Sequence, residues 1–389
     1  MIFKIIFWIS VFAVFHTYVL YPLILRFLVS GKPNNQVSYK NLEQYPYVSI
    51  LLAVYNEEKV ILNKLKSLAG LEYFPGKLEI LIASDASNDQ TNKIIEGFVQ
   101  SRSNFKFKKF QQRTGKIGII NQLSAIASGE ILAISDANTM HDPKSLINLI
   151  RHFKNPEIGL VDSYMYNTGL DKGGISIQES AYVLRETRIK NMEGRMWGTL
   201  MGPSGGFYAF RKENYHPVPE NFLVDDFYIC MKVLEDGKKA INDPDSKVFE
   251  DVSNDITEEF RRKVRISTGN FQITKIFSHL ILKPWNPIGF CFISHKLLRW
   301  TGPFFILGAF ISNIMLYQTS FFSFTLILQL IFLILPIIDL ILRKIKIHIV
   351  ILRFITHFLY MNLAIFAGFI QFIKGINSNV WEPTRRNQS

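Results

Sequence analysis

Three apolar stretches of this chain run straight into acids. AV leads into Tyr55-Asn56-Glu57, LEILIAS into Asp85-Ala86-Ser87-Asn88-Asp89, and ILAI, through Ser135, into Asp136-Ala137-Asn138. None is followed by the glycine fingerprint of a Rossmann fold or a P-loop. A nucleotide held at these ends would need another grip, with acids on its ribose or base and a hard divalent cation on its phosphates. A fourth acidic feature, the adjacent pair Asp225-Asp226, opens an amphipathic helical pattern. Two neighbouring carboxylates repel each other, which can raise one pKa toward usefulness. The same pair would also suit the positive end of a helix dipole.

The elements that must position these residues are legible from Tyr47 onward. YVSILLAV, LEILIAS, NFKFKKF and EILAIS read as strands. Between and after them, EKVILNKLKSLAG, TNKIIEGFVQ, GKIGIINQLSAIAS and DPKSLINLIRHF read as helices. Asp89 is placed to cap the second of these, and Pro143 to stand at the first position of the fourth, with Asp142 as its capping acid. Strands alternating with helices imply an α/β domain with a doubly wound parallel sheet, whose ligands sit outside the carboxyl ends of the strands.

Composition adds a membrane part. Of the 389 residues 48% are hydrophobic, and residues 5–25 carry no formal charge, a length that crosses roughly 30 Å of hydrocarbon. Residues 304–342, broken by Gln318, Thr319 and Ser320, read as two spans, and 354–372 as a third. Only Lys4 precedes the first span, whereas Arg26, Lys32 and Lys40 follow it. The positive-inside bias therefore places the soluble domain in the cytoplasm, and the loop with Arg343, Lys344, Lys346 and Arg353 belongs on the same side. A third span would then export Arg385 and Arg386 unless it is re-entrant or lies in the interface. His16 and His357 fall within spans, where a helix–helix hydrogen bond is the expected role. The net charge of +12 suits anionic lipid and anionic substrates, and several spans argue against nucleic acid. Two cysteines, Cys230 and Cys291, provide no disulfide framework and no thiolate metal cluster.

The ordered set AVYNEE, DASNDQT, RTGK with Asn121, SDANT, GPSGG, VDDFYICMKVLEDG, RRKVRISTGNFQ and WEPTRR resembles the inverting glycosyltransferases of family 2, with the GT-A fold. The resemblance covers residues 45–285, and the membrane segments extend it to synthases of the cellulose, hyaluronan and poly-N-acetylglucosamine type. It implies that Asp85 and the backbone near Tyr55 hold the nucleoside, with Glu57 and Lys116 close by. Asp136 and Asn138 stand at the family's DxD position, which meets Mg2+ or Mn2+ on the sugar diphosphate; here the second acid has become a neutral amide. Asp226, beside Asp225, stands where the family has its general base. Gly205 and Gly206 match its acceptor-side loop. Arg262 and Arg265 fall in the stretch that aligns with its Q-x-x-R-W, Arg265 matching the arginine that binds the leaving diphosphate, while Gln has become Arg262 and Trp has become Ile266.

Other readings of the same residues stay open. Asp85 fits a turn acid, Glu57 a first-turn helix acid, Lys116 a solvated lysine, residues 202–206 a surface turn, and the Arg262–Arg265 run a basic helix on lipid headgroups.

The expected architecture is a transmembrane helix (1–30), a linker (31–44), a GT-A domain (45–285), an interfacial helix (286–300), a transmembrane region of about three spans (301–374) and a tail (375–389). The expected activity is transfer of a sugar from a nucleotide-diphosphate sugar, UDP-linked by preference, to a growing polysaccharide or lipid-linked glycan at the cytoplasmic membrane. Partner subunits could supply export. Transfer of one sugar to a polyprenyl phosphate or other lipid, and a non-catalytic subunit of a glycan synthesis complex, are the competing expectations.

Overall fold

The computed structural model describes residues 1–39, 44–171 and 175–376. The WEPTRR motif, Arg385, Arg386 and Lys40 lie outside the described residues. The chain divides into two compact units. One comprises Val29–Gly169 and Ser180–Val252, and the other Met1–Leu28, Leu170–Glu179 and Ser253–Gly375. This partition differs from the expected boundary at residue 285, since the helix Ile256–Ile276 groups with the apolar helices.

The first unit is built on an eight-stranded sheet. Its strands are β1 (Val48–Val54), β2 (Leu78–Ser84), β3 (Phe105–Lys109), β4 (Ile131–Ser135), β5 (Thr139–His141), β6 (Ile158–Thr168), β7 (Phe207–Arg211) and β8 (Lys239–Asp251), in the order β3-β2-β1-β4-β7-β6-β8-β5. The first half is parallel as expected, with β1 between β2 and β4. The second half is a correction to the wholly parallel sheet, because β7 runs antiparallel to both β4 and β6, and β5 antiparallel to β8. All seven residues of β1 are buried, as continuous apolar strands covered on both faces should be.

The helices cover this sheet with apolar stripes. Ile61, Leu65 and Leu68 of the helix Ile61–Ala69 are 0–1% exposed, at the i, i+4, i+7 spacing of one face. Each such side chain withdrawn from water contributes about 2 kcal/mol. Two helices start later than the sequence implied. Residues 58–60 form a turn before Ile61, and the fourth helix begins at Ser145, with Pro143 in the turn ahead of it. There Asp142 Oδ1 accepts from Lys144 N at 3.0 Å. Asp89 caps as expected, accepting from Thr91 N at 3.0 Å.

The second unit holds apolar helices. Among the described residues three, Ile2–Leu28, Ser320–Lys344 and Val350–Lys374, are long and apolar enough to cross a membrane. Gly302–Met315, expected as a span of its own, has only 14 residues. It reaches spanning length only joined to Pro287–Trp300, from which it is bent by 60°.

Buried polar groups pin the strand starts together. Glu79 of β2 is 1% exposed and accepts from Ser49 Oγ of β1 at 2.6 Å, Ser128 N at 2.6 Å and Lys106 Nζ of β3 at 2.7 Å. Beside it Gly129 donates to Ser49 Oγ, and a Cβ at Gly129 would lie 2.5 Å from Ser49 N. Replacing Glu79 by Ala strands the buried Ser49 hydroxyl and takes the acceptor from Ser128 N, and should cost about 2 kcal/mol, read as a lowered unfolding midpoint of the purified full-length chain.

Candidate active site

The carboxyl ends of β1, β2 and β4 lie side by side, since Val54 pairs with Ser84 and Leu51 with Ile134. Tyr55, Asp85 and Asp136 therefore emerge on one edge. The loops after β1 and β2 are stitched together. Asn56 N donates to Ser87 Oγ at 3.1 Å, and Asn56 Oδ1 accepts from Asn88 N at 3.0 Å. Asn56 and Ala86 take left-handed conformations with φ of 50° and 57°, strain of the kind that concentrates at functional sites.

Asp85 is 0% exposed and accepts from Arg113 Nε (3.0 Å), Gly115 N (3.1 Å) and Thr114 N. Its carboxylate is thus already engaged within the protein, and it positions the 113–115 loop. The Arg113 guanidinium in turn lies 3.2 Å from the centre of the Tyr55 ring. Gly115, with φ of 79°, lets the chain turn into the helix Gly115–Ile126, and Lys116 is delivered into the cluster of acids.

Lys116 Nζ lies 2.9 Å from Asp136 Oδ1 and 3.3 Å from Asp225 Oδ2. Burial alone would lower its pKa, but the charges of Asp136 and Asp225 outweigh this and hold the ammonium above its ordinary range. Lys116 is therefore an ion-paired residue, unlike the solvated lysine that was the alternative. Asp225 and Asp226 open the helix Asp225–Glu235, and Asp226 Oδ1 accepts from Phe227 N at 2.8 Å. Burial, reinforced by the charge of Asp225 and opposed by Lys116, pushes Asp226 up to about 6.

The antiparallel β7 brings the glycine loop to the same place. Ser135 pairs with Phe207, and Asp136 N donates to Gly206 O at 3.1 Å. A Cβ on Gly205, whose φ is 84°, would stand 3.1 Å from Asp226 Oδ2, and one on Gly206 would stand 2.5 Å from Met165 Cε. The loop is thus pressed against the acids rather than lying as a plain surface turn. Ser204 anchors it, donating to Asp162 Oδ2 from N at 2.9 Å and from Oγ at 3.1 Å. Burial pushes Asp162 up to about 6, against the opposing charge of Lys190.

The remaining expected residues sit as follows. Glu57 lies in the turn ahead of the helix that starts at Ile61, donating its N–H to Thr91 Oγ1 at 2.8 Å. Asn138 donates from its amide nitrogen to Glu250 Oε1 at 3.3 Å, which leaves its amide oxygen as the atom able to meet a cation. Arg262 and Arg265 belong to the other unit, on the helix Ile256–Ile276, where Arg262 pairs with Glu259 at 3.3 Å.

Among the described residues no group of three or more His, Cys, Asp or Glu is arranged to hold a metal. The Asp136 carboxylate, 33% exposed at a strand end, still fits Mg2+ or Mn2+, which keep several waters and take phosphate oxygens as ligands.

Sequence reasoning missed Asp162, Arg113 as the partner of Asp85, and Lys64. Lys64 is 0% exposed, and its place in the Ile61–Leu65–Leu68 stripe was the available signal.

Residues 49–216 match the family described as Glycosyl transferase family 2. That stretch is a family 2 glycosyl transferase domain. A beta-monoglucosyldiacylglycerol synthase from Nostoc sp. is 35% identical over 118 residues, 30% of this chain and 25% of that protein. A poly-beta-1,6-N-acetyl-D-glucosamine synthase from Staphylococcus epidermidis is 28% identical over 258 residues, 64% of this chain and 61% of that protein. The chain thus spans less than two thirds of the length of either relative. In fold, a mannosyltransferase from Pyrobaculum calidifontis, solved with GDP-Man and Mn2+, superposes with a TM-score of 0.73 at 20% identity, over 95% of this chain and 99% of that one. The transferase domain thus has the GT-A fold.

Because the folded state of the transferase domain holds the Asp226 proton more tightly than the unfolded chain, the charged carboxylate costs stability above about pH 6. That cost fades as pH falls toward 4. Asp226→Asn should therefore stabilise the protein at pH 7 by about 1–2 kcal/mol, with the gain shrinking toward pH 4 in thermal unfolding scans.

Proposed function

We propose that the protein is an inverting glycosyltransferase that moves a sugar from a nucleotide-diphosphate sugar, UDP-linked by preference, to a growing polysaccharide or lipid-linked glycan at a membrane. The observation that carries this reading is the cluster Asp136–Lys116–Asp225 with Asp226 beneath the Gly205 loop. The family match and the two relatives in glycan and glycolipid synthesis support it.

In this reading Asp226 takes the proton of the acceptor hydroxyl as that oxygen attacks the anomeric carbon. A carboxylate raised to about 6 is a stronger base than an ordinary aspartate and is still ionised at neutral pH. Gly205, lying against Asp226, and Gly206 after it have no side chains of their own and put no bulk over that base where an acceptor sugar would approach. Lys116 exchanges its carboxylate partners for the incoming diphosphate and adds positive charge for the leaving group. Asp136 and the Asn138 amide oxygen would hold a divalent cation, which supplies charge neutralisation on the diphosphate. Asp85 acts through the loop it fixes, holding Lys116 in place.

In this reading the enzyme is a multi-pass protein of the cytoplasmic membrane with its transferase domain on the cytoplasmic side, which the three long apolar helices and the Arg26 and Lys32 charges after the first of them support. Ile266 stands where the processive members carry tryptophan, which favours a second reading, transfer of a single sugar to a lipid acceptor. Product length separates the two.

The test is release of nucleoside diphosphate by the purified full-length protein from a panel of UDP- and GDP-sugars, with and without Mg2+ or Mn2+. Metal-dependent turnover of one donor is expected, reduced about 10³-fold in Asp226→Asn. Silence across the panel with wild-type protein would sink the reading. The rate should also fall below pH 6, as the base becomes protonated, with an apparent pKa of about 6.

A further inference from the structure

The turn that carries Asp136 is held from below by an amine. Lys64 Nζ lies 2.6 Å from Ser135 Oγ, 2.7 Å from Thr139 O, 2.8 Å from His141 Nε2 and 3.1 Å from Thr139 Oγ1. These four atoms bracket Asp136-Ala137-Asn138 on both sides. All of Lys64, Ser135 and Thr139 are 0–1% exposed, and His141 is 9% exposed, so water is a poor substitute for the amine.

The chain of bonds continues to the acid itself. Thr139 Oγ1 donates to Asp136 O at 2.9 Å and to Gly206 O at 3.0 Å, and Gly206 O also accepts from Asp136 N. One buried side chain thus fixes the turn that bears Asp136 and, through Thr139, the loop against Asp226. Nothing else about the position calls for a lysine. Ile61, Leu65 and Leu68 on the same face are apolar, and burying an amine among them costs more than burying a methionine of similar length.

We propose that Lys64 is a positioning residue for the active site, holding the β4–β5 turn so that the Asp136 carboxylate faces Lys116. It touches neither substrate nor metal. Without it, four buried polar atoms lose a partner and the turn must move to find others, and small displacements of a charge-stabilising group are magnified in rate. The inference on catalysis rests on the transferase reading; the inference on the turn does not.

The experiment compares the wild-type full-length protein, Lys64→Met and Leu65→Ala, the last removing a purely apolar neighbour on the same helix. Hydrogen–deuterium exchange reads the turn, and nucleoside diphosphate release with Mn2+ reads its consequence. Lys64→Met should speed exchange of residues 136–141 at least tenfold and lower kcat at least tenfold. Leu65→Ala, at a comparable loss of Tm, should keep kcat within threefold. Unchanged exchange at 136–141 in Lys64→Met overturns the proposal, as does a kcat equal to that of wild type. If exchange responds while the wild-type protein turns over no donor, the transferase reading fails and the role of Lys64 in the turn stands. Should Lys64→Met not accumulate as folded protein, Ser135→Ala removes one of the four partners without a large cavity and is held to the same two outcomes.

Discussion

Like charges brought to one place must be balanced, and this constraint organises the transferase unit. Asp136, Asp225 and Asp226 converge at the carboxyl edge of the sheet from two different segments, and Lys116 is the cation that lies between Asp136 and Asp225. Coulomb repulsion in a partly buried site is not screened as it is in water, so the cluster requires that ammonium when no other cation is present. Asp85 makes the arrangement rigid. Its carboxylate is spent on Arg113, Thr114 and Gly115, and the helix that starts at Gly115 then has only one way to present its lysine.

The mixed half of the sheet supplies what a wholly parallel sheet could not. An antiparallel β7 beside β4 returns the chain so that the loop before Phe207 meets the residues just after Ser135. Strand polarity therefore brings the glycines to the acids. Their lack of side chains then permits the approach, since a Cβ on Gly202 would lie 2.3 Å from the Phe227 ring. Asp162 fixes the same loop through Ser204. Two buried groups, Lys64 and Asp162, thus govern the backbone on either side of the cluster.

The other unit also pairs its buried charges. Asp339 and Arg353, 1% and 4% exposed, lie 3.1 Å apart between two apolar helices. Ionisable groups at such positions are tolerated when paired. Glu179, also buried, pairs with Lys263 at 2.7 Å and meets His357 Nε2 at 3.1 Å. The role expected for His357, a hydrogen bond between elements of the helical region, is the one it has, although its partner is an acid outside the spans. Lys263 lies between Arg262 and Arg265 on its helix, so the pairing with Glu179 also fixes the rotation of that basic run.

How much was legible depended on the range of the physics involved. β1 to β4, the helices between them, the capping role of Asp89 and the three long apolar helices follow from local periodicity, turn chemistry and hydropathy, which neighbouring residues in the sequence carry by themselves. The acids Asp136, Asp225 and Asp226 were legible because a charged residue at the end of an apolar strand or at a helix start is a local anomaly. The strands β5 to β8 were not, because their pairing is between segments far apart in sequence and β8 carries many polar residues. Nor could the sequence tell that Asp85 accepts from the Arg113 side chain and from the Thr114 and Gly115 backbone, or that Lys116 is not a surface lysine. Those outcomes depend on which groups are packed within about 3 Å of each other, and on burial, which sets the value of a charge. Composition and order in the chain determined which elements form and which acids stand at their ends. Only the tertiary structure, by bringing distant segments into hydrogen-bond range away from water, decided which of those groups are partners and which remain available for chemistry.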